Sequence, residues 1–206
     1  MRRTLSTATI YTKKFKTLEF SGVWKEVFGC PEKTGVWLVY GVEKNGKTWF
    51  SLKLAEYLST FEKTLYVSAE EGITKTFVDA CKRAKLSPTN KSIQFIDYEP
   101  LEELNERLNK RRAPKVVVID NVTIYKDELK NGEFRRMMHK HRDKLLIFIA
   151  HEDKKEPDGA TAKLIKKLSK IIVRVQGLAC VVYGRCPGGI LNIDETKSTL
   201  YHGETN

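Results

Sequence analysis

The chain has 206 residues, 37 Lys plus Arg against 26 Asp plus Glu, and a formal charge of +11 with a pI near 9.4. One domain of that length can bury a substantial core, and a composition of 41% hydrophobic and 10% aromatic residues excludes wholesale disorder. No apolar run approaches the roughly 18 residues that a membrane span needs, and the basic first 20 residues lack the apolar stretch of a secretory signal. Cys30, Cys81, Cys180 and Cys186 form no CxxC pair and read as reduced thiols. The expectation is a cytoplasmic protein with no membrane role, and the positive surplus favours nucleic acid as a partner, because each phosphate neutralised releases condensed counterions.

Residues 1–20 read as a basic arm or linker, with a transit peptide or a flexible tail as the other readings, and residues 21–206 as the folded domain. From residue 36 apolar runs alternate with helical patterns. VWLVYG (36–41) is a strand ending in glycine, and in 47–61 Phe50, Leu54, Leu58 and Phe61 recur at helical spacing. A strand at 63–71 leads to a helix over 74–86 that Pro88 stops. A strand at 92–99 leads to a helix opened by Pro100, since proline suits a first turn. Then come a strand at 115–122, a helix around 127–141 and a strand at 144–152. Strands apolar on both faces, alternating with helices, predict an α/β fold: a mostly parallel sheet with helices on both sides. After a basic helix at 160–170, IIVRVQG, LACVVYGRC, ILNID and STLYHG predict a C-terminal antiparallel extension.

Between the first strand and the first helix stands Gly41-Val42-Glu43-Lys44-Asn45-Gly46-Lys47-Thr48, a complete G-x-x-x-x-G-K-[ST] P-loop, with Trp49 next. Its glycines let the backbone wrap so that successive N–H groups converge on phosphate oxygens, and the following helix N-terminus adds its dipole. Lys47 is expected on the β/γ-phosphates of ATP, and the Thr48 hydroxyl on Mg2+. The acid that holds the metal is expected at Asp120, where four apolar residues run out at the C-terminal end of a strand.

LYVSAEEG resembles the segment that ends the second core strand of RecA-like ATPases, the family of RadA-type and DnaB-type proteins. The resemblance implies a catalytic base at Glu70 or Glu71; alignment on the strand favours Glu70, and the other reads as a solvated acid at a helix start. The intervals from Thr48 to Glu70 and to Asp120 are also similar to that core's. LLIFIAHEDKKEPDG looks like the strand and mobile loop that sense the γ-phosphate, with His151 where the family usually has glutamine or another polar residue. His151 is either that sensor or a histidine ending a strand. Arg185 matches the arginine of a hairpin that reaches a neighbouring subunit's site, although Tyr183 stands where the family has a lysine. It is either a finger acting in trans or a charge near an exposed turn.

The resemblance implies Mg-dependent ATP hydrolysis coupled to DNA in recombination, annealing, replication or unwinding, in a ring or filament with ATP between subunits. A compact core without zinc ribbon or primase-binding domain looks like the single-domain type of phages and mobile elements, in a bacterial or host cytoplasm, rather than a full replicative helicase. The two loops facing single-stranded DNA would hold Lys126, Lys130, Arg135 and Arg136, then Lys154, Lys155 and Lys163, as phosphate contacts. These are otherwise a solvated face, since acids are interleaved. Tyr125 and Phe134 are the aromatics available there for stacking. The alternatives are an ATP-dependent switch or helicase loader acting on a protein partner, and a P-loop small-molecule kinase. The absence of an NKxD guanine motif favours ATP over GTP.

Overall fold

The computed structural model describes residues 4–195, 198 and 199. A short helix, α1 (Thr7–Tyr11), is capped by the Ser6 side chain and buries none of its residues. The chain enters the core at Leu18 and Phe20, both buried, and α2 (Gly22–Phe28) follows. The main domain then runs β1 (Gly35–Gly41), α3 (Lys47–Ser59), β2 (Thr64–Ser68), α4 (Lys75–Arg83), β3 (Ile93–Asp97), α5 (Leu101–Asn109), β4 (Val116–Asp120), α6 (Glu133–Lys140) and β5 (Leu145–Asp153). It closes with β6 (Glu156–Pro157), α7 (Gly159–Leu168), β7 (Ile171–Gln176), β8 (Ala179–Gly184) and β9 (Gly189–Asn192).

The strands lie in the order β3-β2-β4-β5-β1-β7-β8-β9, with β6 paired only to β5. From β3 to β7 all neighbours are parallel, and β8 and β9 extend the sheet antiparallel. Helices cover both faces, which is why the central strands are apolar throughout. Along β1, Trp37 and Val39 join the layer containing Phe28, Phe50 and Leu54, while Val36, Leu38 and Tyr40 join the layer containing Leu104, Phe134 and Ile165. The α/β architecture and its antiparallel C-terminal strands are those expected from the sequence.

Register decides which residues meet. Gly41 pairs with His151 across β1 and β5, Ser68 with Asp120 across β2 and β4, and Asp120 with Ile149 across β4 and β5. The ends of β1, β2, β4 and β5 therefore converge at the carboxyl edge, where open α/β sheets bind ligands.

Three expectations are corrected. The helix expected around 127–141 begins only at Glu133, because Asn131 has a left-handed φ of 52° and the preceding segment is tied elsewhere. Tyr125 donates to the Glu99 carbonyl at 2.6 Å, and Glu128 accepts from the Leu101 N–H and the Tyr98 hydroxyl. The loop expected after His151 is paired as a tight hairpin turned at Lys154 and Lys155, both left-handed, with α7 starting at Gly159. Of the strand expected at 198–203, Ser198 and Thr199 are helical, Ser198 N–H donating to the Asp194 carbonyl at 2.9 Å; the remainder lies outside the described residues.

Candidate nucleotide site

The P-loop leaves β1 at a point that tolerates no side chain: a Cβ on Gly41 would meet the Val175 carbonyl oxygen at 2.1 Å. At the other end Gly46 has φ +98°, and a Cβ there would strike Leu178 at 2.5 Å. The turn between β7 and β8 packs onto the loop. Asn45 Oδ1 accepts from the Gly177 N–H at 2.9 Å, and the Asn45 carbonyl accepts from the Leu178 N–H at 3.4 Å. Asn45 thus fixes the cradle to the sheet's antiparallel extension.

Lys47 is buried and donates from Nζ to the Val42 carbonyl at 2.8 Å. Burial lowers its pKa, opposed by the charges of Asp120, Glu70 and Glu43. Asp120 is 8% exposed. Its Oδ2 accepts from the Tyr66 hydroxyl at 2.7 Å and from Thr48 Oγ1 at 3.4 Å. Burial raises the Asp120 carboxyl to about 6, with Glu70 adding to the rise, while the Tyr66 hydrogen bond and Lys47 counter it. The Asp120 carbonyl also accepts the N–H groups of Ala69 and Glu70, at 2.6 and 3.1 Å. The end of β2 is thereby held against the end of β4, which sets the position of Glu70.

Glu70 reaches across to Asn121 and His151. Asn121 Nδ2 donates to Glu70 Oε2 and lies 2.8 Å from His151 Nε2, which is itself 3.1 Å from Glu70 Oε1. His151 Nδ1 is buried without a hydrogen-bond partner, 3.9 Å from Glu43 Oε1 on the P-loop. One residue further along β5, Glu152 takes a bidentate pair from Arg174 at 2.8 and 2.7 Å, which anchors the strand end to β7.

These residues surround one cleft of about 750 Å3. It is walled by residues 43–48 with Glu70, Asp120 and His151, and by Trp49, Thr76, Ala80, Arg83 and Leu178. Arg83 sits 5.8 Å from the Trp49 ring centroid, a cation over an aromatic face. The cradle fits a polyphosphate, since two positions exclude a Cβ and a buried ammonium stands beside them. Thr48 and Asp120 place a hydroxyl and a carboxylate on one side, the oxygen donors a hard cation takes.

Among the residues singled out from sequence, Glu43 to Trp49, Glu70, Glu71, Asp120 and His151 line this cleft, and Gly41 and Val42 lead into it from β1. Arg185 does not. It follows β8 at the opposite end of the sheet, its N–H donating to the Lys170 carbonyl at 2.7 Å. Lys126, Lys154, Lys155 and Lys163 are exposed near the carboxyl edge, whereas Lys130 is paired to Asp127 at 2.5 Å and Arg136 to Glu133. Arg135 is exposed on the first turn of α6. Tyr125 and Phe134 are fully buried, so the stacking surface expected of them is absent. Sequence reasoning missed Tyr66, Asn121, Arg83 and Leu178. Asn121, the polar residue directly after Asp120, was the one with a visible signal.

The chain has a RecA-like fold. No protein-family model matches it, and no curated protein does. Among solved structures, the crystal structure of the flagellar accessory protein FlaH from Methanocaldococcus jannaschii superimposes with a TM-score of 0.63. That likeness covers 88% of this chain and 96% of FlaH at 15% identity, so it is a likeness of fold.

Proposed function

We propose that this chain is a Mg2+-dependent ATPase of RecA-like type that acts on nucleic acid. The observation that supports this reading best is the joining of the P-loop to Glu70 through one cleft, with Glu70 held by Asn121 and by the backbone of Asp120. Residues 41–48 and Trp49 bind the phosphates, and Lys47 stabilises charge developing on the transferred group. Thr48 and Asp120 hold Mg2+, which when bound neutralises the phosphate oxygens. Glu70 takes a proton from the attacking water. Glu71 also lines the cleft, but Glu70 is the one that joins His151, so we assign the base there. The part of the cleft beside Trp49 and Arg83 takes the base and ribose.

The partner is argued from charge. Lys126, Lys154, Lys155 and Lys163 lie exposed at the edge that holds the cleft, and they suit phosphate contacts that are independent of sequence. Arg185 lies at the far end of the sheet from this chain's own cleft, a position compatible with the trans role in an oligomer with ATP between subunits.

A second reading is kept for two observations: the aromatics of the first loop are buried, and the second loop is a tight hairpin. Both features lessen the case for base stacking and favour an ATP-dependent switch that moves a protein partner, and FlaH, which shares this fold, is named a flagellar accessory protein.

Steady-state ATP turnover with and without single-stranded DNA, at two salt concentrations and with Glu70→Gln as control, decides between them. Stimulation that fades with salt and is lost in the variant supports the first reading. Turnover indifferent to DNA supports the second, and ADP formed only with an added acceptor would replace both with a kinase.

A further inference from the structure

Asn121 is fully buried, and its side-chain orientation is fixed twice. Oδ1 accepts the Thr123 N–H at 2.7 Å, and Nδ2 donates to Glu70 Oε2. Turning the amide over would set an oxygen against the Glu70 carboxylate and an NH2 against the Thr123 N–H. Nδ2 has two hydrogens. One goes to Glu70, and the other points to His151 Nε2 at 2.8 Å.

An imidazole nitrogen that accepts a hydrogen bond carries no proton, so in the neutral ring the proton sits on the other nitrogen. That other nitrogen is Nδ1, buried without a partner and facing Glu43 of the P-loop at 3.9 Å. Glu70 Oε1, 3.1 Å from Nε2, makes the opposing demand, since a carboxylate oxygen there favours an Nε2–H. The Asn121 hydrogen is the nearer claim and cannot turn away.

We propose that Asn121 is a positioning residue that holds neutral His151 as its Nδ1–H tautomer, so that a hydrogen-bond donor faces the γ-phosphate end of the cleft. The second half of this statement rests on the nucleotide reading above; the tautomer does not. With the proton on Nε2 the ring would present a lone pair to the cleft and repel a phosphate oxygen. Asn121 therefore acts on the γ-phosphate contact through His151, while its bond to Glu70 holds the base for the chemical step.

The test reads the tautomer directly, by long-range 15N–1H correlation on the imidazoles of the full chain without nucleotide. Comparison with His151→Gln assigns the His151 signals. A protonated Nδ1 and a bare Nε2 are expected. His141, whose Nε2 lies 2.7 Å from Asn105 Oδ1, supplies the opposite pattern in the same spectrum. Asn121→Asp, which accepts rather than donates, is expected to move the proton to Nε2. If that variant does not fold, Asn121→Ser serves, because its hydroxyl is too short for both contacts and leaves Nε2 to Glu70.

Nucleotide affinity gives the second readout. The same variants should weaken a non-hydrolysable ATP analogue by about tenfold or more, the scale of one hydrogen bond to a charged group, and leave ADP affinity unchanged. In a His151→Gln background the Asn121 change should add little. An Nε2–H or doubly protonated ring in the wild type overturns the positioning role. Equal losses for the ATP analogue and ADP overturn the γ-phosphate assignment. Failure of the wild type to bind either nucleotide overturns the nucleotide reading itself, and the spectrum still decides the tautomer.

Discussion

Two histidines mark the two ends of the same strand and are treated in opposite ways. His141, at the end of α6 before β5 begins, is buried, and Asn105 faces its Nε2 at 2.7 Å. Lys144 beside it is also buried and donates to the Pro114 carbonyl at 3.1 Å. Burial pushes the His141 imidazole down to about 4, with Lys144 and Lys140 adding to the effect. At the other end of β5, His151 has one nitrogen in a three-way contact and the other with no partner. The amino end of the sheet satisfies the polar groups it buries, so they serve the fold. The carboxyl end leaves a buried polar atom facing a cleft, a cost that natural structures carry where a ligand can repay it.

The largest expected effect falls at the carboxyl end. Lys47→Ala should lower ATP turnover by at least about 100-fold with the thermal transition retained, since it removes a charge aimed at the reacting phosphate; unchanged turnover in a monodisperse sample would break the nucleotide reading. Glu70→Gln should lower turnover by about 100-fold or more through loss of the base, while ATP affinity measured by titration stays within a few-fold. A parallel fall in affinity would make Glu70 a binding group instead.

Two changes separate stability from function. Asp120→Asn should abolish Mg2+-dependent nucleotide binding yet raise unfolding stability at pH 7 by roughly 1–3 kcal/mol, at about 1.4 kcal/mol per unit of pKa. The sign follows from the raised carboxyl. Between the unfolded value of 3.8 and about 6 the native state binds more protons than the unfolded state, so this group's contribution improves as pH falls from 7 and is worst above 6. His141→Leu should leave turnover per folded molecule unchanged, and denaturant titration should place the whole cost in stability. His141 has the opposite sign: its native value is depressed from 6.5 to about 4, so its contribution is present above 6.5 and is lost as pH falls toward 4, by about 3 kcal/mol. Acid titrations of wild type, Asp120→Asn and His141→Leu should therefore diverge in opposite directions. The smallest effect is expected at the hairpin tip, where Lys154→Glu should reduce the salt slope of DNA-stimulated turnover by about 1 without changing basal turnover; an unchanged slope would remove the hairpin from the DNA-facing surface.

Much of the fold was legible because apolar strands buried on both faces leave a continuous run in the sequence, as at Val116–Ile119, and because the P-loop is a local backbone device whose residues are neighbours in the chain. What failed was also physical. The segment 123–132 has helical composition, yet Glu128 is taken as a cap for α5 and Asn131 turns left-handed. Tyr125 and Phe134 read as surface aromatics, but the core holds both. Arg185 is a different matter: the resemblance gives it to a neighbouring subunit's site, and the direction of β8 sets it far from this chain's own cleft.

By itself, then, the sequence determined the strand-helix alternation, the phosphate cradle and the acid at the end of β4, because each depends on residues close in the chain. Which of the two glutamates faces Asn121, which nitrogen of His151 is left without a partner, and where Arg185 lies were decided only by tertiary structure. Those outcomes depend on register between β2, β4 and β5 and on the direction of β8, and hydrogen bonds between strands far apart in the chain fix them.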